Sequence, residues 1–128
     1  REIIPARAYS FDYNTAAKEA RAETLRGYCP KLISGGEAID SYDTVFIGSP
    51  NWFGSIAPPV LSFLRAHDFT GKTVVPFCTH GGGGFGEIER RIAQERLGAG
   101  LLPGLAIGES GATPGQIAVW LAEIGLLP

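Results

Sequence analysis

Two short segments concentrate the side chains and the backbone freedom that a ligand site needs. Ser49, Pro50, Asn51, Trp52, Phe53 and Gly54 set two large aromatics between a proline and a glycine. Aromatic faces in such a loop suit stacking on a flat conjugated ligand, worth ~1 kcal/mol beyond the area buried. The competing reading is that both rings simply cover the end of a sheet. Thr79, His80, Gly81, Gly82, Gly83 and Gly84 make the second segment. Its run of glycines lets backbone N–H groups approach an acceptor-rich ring edge or an anion with no Cβ in the way. A plain flexible turn is the alternative, but each glycine costs roughly 0.5–1 kcal/mol relative to alanine in a regular element, which favours close approach of a ligand. His80 suits hydrogen bonding to a ligand carbonyl, acid chemistry near neutral pH, or a solvent-exposed turn.

Little else in the chain asks for a chemical role. The two cysteines, Cys29 and Cys78, are far apart and have no CxxC or Cys/His spacing, so neither a disulfide framework nor a zinc site is expected. Cys78 closes an apolar stretch with no base near it in sequence, which fits a small buried hydrophobe better than a nucleophile. Glu87, Glu89, Arg90 and Arg91 read as helix-surface charges and Trp120 as helix packing. No catalytic side chain and no metal ligand is assigned.

The elements that must position the two loops follow from periodicity. Residues 44–48 (Thr44, Val45, Phe46, Ile47, Gly48) and 73–78 are short, continuously apolar runs, as expected of strands buried on both faces, although Pro76 is awkward in the second. Each loop follows one of these strands, so both project from the same rim of a parallel sheet, where such folds bind ligands. Pro58 and Pro59 open a helix carrying Val60, Leu61, Phe63 and Leu64 that ends near His67. Residues 87–97 read as an amphipathic helix with Ile88 and Ile92 one turn apart, and 101–107 as a third strand interrupted by Pro103 and Gly104. A last helix over 116–124 sets Ile117, Trp120, Leu121 and Ile124 on one face. Upstream, residues 1–9 suit a short edge strand or connector. Asp12 or Asn14 caps a lightly packed alanine-rich helix to about Leu25, and Gly27, Pro30, Gly35 and Gly36 form a loop. The right-handed crossover rule turns this order into an α/β fold, an open parallel sheet with helices on both faces.

Read with their flanks, these segments resemble a known family. The run Tyr42-Asp43-Thr44-Val45-Phe46-Ile47-Gly48-Ser49-Pro50-Asn51-Trp52-Phe53-Gly54, then Phe63-Leu64, Asp68-Phe69-Thr70-Gly71-Lys72-Thr73 and Pro76-Phe77-Cys78-Thr79-His80-Gly81-Gly82 is similar to the flavodoxin-like flavoproteins. Tyr9-Ser10-Phe11-Asp12-Tyr13-Asn14 and Trp120-Leu121 resemble one branch of it. The resemblance implies FMN, with residues 50–54 against one face of the isoalloxazine and residues 79–84 giving backbone donors to its pyrimidine edge. Such a protein is an electron carrier or a small flavin-dependent oxidoreductase, with a redox partner protein or small-molecule reductant. The chain departs from the family in one respect: the usual first strand, first helix and Ser/Thr-Gly-Asn-Thr phosphate loop are missing, so it reads as an N-terminally truncated flavodoxin. That loss weakens FMN, because several charge-assisted hydrogen bonds worth ~1.5–3 kcal/mol each go with it. A flavin-free module that keeps the fold is the alternative. The missing first strand also leaves one edge of the 44–48 strand unpaired unless residues 1–9 move across or the absent segment covers it, and a homodimer through that edge is the third expectation.

Composition narrows the partners. The chain has 128 residues, enough for one domain with its own core, so residues 1–128 are read as a single flavodoxin-like domain. With 45% apolar and 19% charged residues it is ordinary globular chemistry, and no apolar run approaches the ~20 residues of a membrane span. A net charge of -2 without any Lys/Arg cluster argues against nucleic acid or an anionic membrane as partner. Sparse cysteine and no signal-peptide pattern point to the cytoplasm, while the start at Arg1 with no methionine anywhere suggests residues removed upstream.

Overall fold

A computed structural model describes residues 2–34, 38–95 and 97–128. Gly35 and Gly36 of the expected loop, Arg1, and Arg96 of the expected third helix lie outside them. The element order is β1 (Ile4–Pro5), α1 (Tyr13–Arg26), β2 (Leu32–Ser34), β3 (Thr44–Trp52), β4 (Ser55–Ile56) and α2 (Pro58–Ala66). It continues with β5 (Thr73–Thr79), α3 (Ile88–Gln94), β6 (Gly100–Leu101), β7 (Leu105–Ile107) and α4 (Pro114–Glu123).

The centre is parallel: β3 and β5 pair from Thr44↔Thr73 to Pro50↔Thr79. Beyond β5, β6 pairs at its start and β7 at its end, both parallel. The break between them explains Pro76. The Leu102 N–H donates to the Val74 carbonyl at 3.1 Å, so Val74, Pro76 and Cys78 direct their backbone groups toward this side. The partner strand is interrupted opposite Pro76, which has no N–H to give. As a whole the sheet is mixed, not purely parallel as expected. β4 folds back antiparallel on β3, and β1 and β2 form a separate antiparallel pair.

Alternation along the strands divides the residues between two faces. Val45, Ile47, Val74 and Cys78 face α2 and α3, where Val60, Leu64, Phe69, Ile88 and Ile92 complete the core. On the other face Phe46 meets Trp120 of α4, ring centroids 6.0 Å apart and near perpendicular. Helices thus cover both faces, as the sequence predicts. The Trp120 indole N–H donates to the Pro103 carbonyl at 2.9 Å. The apolar stripe of α4 is less buried than its spacing predicts: no residue of α4 is fully buried. Phe46 itself remains about half exposed, so this face offers α4 a narrow contact. The first helix matches its expectation. Asp12 caps it, accepting the Thr15 N–H at 2.9 Å, and only Ala20 is buried.

Candidate functional site

Residues 49–54 were read as a loop, but they are the end of a strand and its turn. β3 runs on through Trp52 because β4 pairs with it, Asn51↔Ile56 and Trp52↔Ser55. Two residues connect the strands, Phe53 at φ 54° and Gly54 at φ 76°. Positive φ at both positions is the signature of the hairpin turn whose twist matches that of its strands. Gly54 adopts it freely; Phe53 does not, and is the sole non-glycine residue with positive φ among those described. The turn therefore holds an aromatic side chain in an unfavourable backbone state at the sheet's rim, about half exposed.

The glycine segment follows β5 and lies beside this hairpin, as the common rim of parallel strands requires. Long-range hydrogen bonds fasten the two together. The Asn51 side-chain amide donates to the Gly84 carbonyl at 2.8 Å, and its oxygen accepts the Gly54 N–H at 2.8 Å. The Glu87 N–H donates to the Gly54 carbonyl at 2.6 Å. Gly86 lets the chains pass this closely, since a Cβ there would stand 2.5 Å from the Gly54 oxygen.

The expected site residues divide by what they bind already. Ser49 is buried, and its hydroxyl accepts the Ala57 N–H at the start of α2 at 2.9 Å. Asn51, Gly54 and Gly84 make the fastening just described. His80 accepts the Gly82 N–H at Nδ1, 3.0 Å away, and its backbone N–H donates to the Ile107 carbonyl. Gly81 and Gly83, both exposed, have N–H groups without a hydrogen-bond partner among the described residues. Ser49, Pro50, Trp52 and Thr79 line a groove of about 940 Å³ along the free edge of β3, with Ile3 and Tyr9 on its opposite wall. Phe53 and the glycines stand outside that lining. Cys78 is fully buried, donates to the Gly84 carbonyl, and has its thiol pushed up by burial, so it stays protonated.

Sequence reasoning missed the fastening role of Asn51 and the contact of Tyr9 with Trp52, whose rings stand 5.1 Å apart and nearly perpendicular. The Tyr9-Ser10-Phe11-Asp12-Tyr13-Asn14 motif was the available signal for the second. Among the described residues no group of three or more His, Cys, Asp or Glu gathers as a metal site, and no helix is long and apolar enough to cross a membrane.

A parallel-centred α/β sheet with two fastened loops at one rim defines a class of ligand-binding α/β proteins. The Flavodoxin family matches residues 2–124, and the chain belongs to it. Similar solved structures include a putative flavoprotein from Bacteroides uniformis, at 27% identity and TM-score 0.82, covering 94% of this chain and 79% of that one. A putative flavoprotein from Bacteroides eggerthii aligns at 29% identity and TM-score 0.83, over 95% of this chain and 78% of its own. A Lactobacillus acidophilus flavoprotein, solved in complex with FMN, shares the fold at 19% identity and TM-score 0.65, over 91% of this chain and 75% of that one. No curated protein is a significant match.

Proposed function

We propose that this chain is a flavodoxin-like redox protein that holds the isoalloxazine ring of FMN between the Pro50–Gly54 hairpin end and the residue 79–84 segment. One observation carries the reading. Two segments of the same rim, fastened through Asn51, offer the half-buried Trp52 ring and the exposed Phe53 ring on one side and the unpartnered N–H groups of Gly81 and Gly83 on the other. That donor set fits a flat ring with acceptors along one edge. When bound, the flavin supplies one- and two-electron redox chemistry. The protein's part is to stack on the ring, hold its edge with backbone donors, and limit water around it. The role proposed for it is electron transfer to a partner protein or a flavin-dependent reduction, in the cytoplasm. The L. acidophilus complex supports FMN as the ligand class.

The described residues offer aromatic rings and backbone donors suited to the ring but no hydroxyl-rich phosphate loop, so riboflavin is expected to bind this chain about as well as FMN. Titration of both, followed by flavin fluorescence quenching, tests this. Trp52→Ala is expected to weaken either flavin by about tenfold, the loss of ~1 kcal/mol of stacking together with buried area. Unchanged affinity removes Trp52 from the site. A colourless protein that quenches neither flavin overturns the reading and leaves a flavin-free member of the fold.

A further inference from the structure

Tyr9 belongs to neither loop, yet it is the ring that touches Trp52. The two rings pack edge to face, centroids 5.1 Å apart and planes 86° apart. The Tyr9 hydroxyl in turn donates to Glu23 of α1. A second carboxylate of that helix, Glu19, accepts the Ser10 N–H at 3.3 Å and lies 3.9 Å from Arg7. The segment around Tyr9 is thus held on α1 by two carboxylates, and α1 presents the phenol ring to the end of β3. Burial, and then the Glu23 carboxylate, raise the Tyr9 hydroxyl above its ordinary value, which keeps it a donor. Trp52 and Tyr9 line the same groove, whereas Phe53, one residue further along the turn, has no ring partner among the described residues.

We infer that Tyr9 is a positioning residue: seated by Glu23, it fixes the plane of the Trp52 indole against which an aromatic ligand packs. The ligand half of this statement rests on the flavin reading above; the positioning half stands on the geometry alone. Perpendicular aromatic pairs contribute about two- to tenfold to an equilibrium constant, which sets the size of the effect.

The test uses the whole chain in a Trp120→Phe background, which leaves Trp52 as the sole tryptophan. Time-resolved fluorescence anisotropy of the flavin-free protein reads the freedom of the indole directly. Tyr9→Ala is expected to add fast, wide-angle motion of Trp52 and to weaken riboflavin about two- to tenfold, both read in buffer where urea titration shows the variant fully folded. Tyr9→Phe, which keeps the ring and loses the hydroxyl, should recover only part of the restriction, and Glu23→Leu, which removes the seat, should resemble it; full restriction in both would remove Glu23 from the positioning role. Tyr9→Leu replaces Tyr9→Ala if the latter does not fold. Trp52 anisotropy that stays the same in the folded Ala or Leu variant overturns the proposal. If the indole is freed as expected but the parent chain binds no riboflavin, the positioning role stands and the flavin reading fails.

Discussion

The side chain of Asn51 spends both its polar atoms on the protein, one on the Gly84 carbonyl and one on the Gly54 N–H. Amide side chains in ligand loops are usually assigned to the ligand, and here geometry assigns this one to the scaffold. Asn51→Ala leaves the half-buried Gly84 carbonyl with only the weak Cys78 thiol donor and removes the constraint on the turn. Destabilisation of about 1–3 kcal/mol is expected, measured as a shift in urea unfolding free energy, with weaker flavin binding as the loops separate. Ser49 shows the same economy, its hydroxyl being committed to the first turn of α2. Such commitments are invisible in sequence. The residue types were legible as ligand-capable, but the partner of Asn51 lies 33 positions away.

At the scale of elements, Arg65 of α2 and Glu95, the C-cap of α3, tie the two helices together at the surface. The pair is bidentate, Nε to Oε2 at 2.9 Å and Nη2 to Oε1 at 3.0 Å. The hydrogen bonds from Arg65 hold the Glu95 carboxyl below its ordinary value of 4.5. A depressed carboxyl stabilises the fold fully above the ordinary value, and this contribution is lost as the pH falls through the depressed one. The Arg65 side chain is about half exposed, so solvent screens the pair and it is worth under ~1 kcal/mol. Glu95→Gln should therefore lower the unfolding free energy slightly at pH 7 and by less as the pH is lowered below 4.5, a trend that denaturant titrations across that range will check. The elements themselves were largely readable from sequence. β5, α2 and the Asp12 cap of α1 follow local rules of apolar runs, proline at helix starts and side-chain acceptors, whereas the Thr113 cap that starts α4 two residues before the expected Gln116 was missed. The length of β3 was not, because Ser49 to Trp52 become strand only through pairing with β4 and β5. β2 was also missed, three residues being too few to show alternation.

For the molecule as a whole, the consequential feature is the edge of β3 that faces the groove. From Thr44 to Pro50 this strand is paired with β5 on one side and with no strand on the other among the described residues. The β1–β2 pair stands across the groove without joining it. A seven-residue free edge, roughly 23 Å of unpaired backbone, is a template for another strand. We expect association of two chains through it, seen as a dimer in sedimentation equilibrium; a well-behaved monomer with this edge paired internally rejects that. By itself the sequence determined the fold class, the two apolar strands and the glycine segment that follows the second, because burial on both faces and glycine at turns act over a few residues. Tertiary structure alone decided that the aromatic loop is a strained hairpin fastened by Asn51, that Tyr9 meets Trp52, and that one strand edge lies open. Those depend on contacts between distant segments, whose meeting no local pattern encodes.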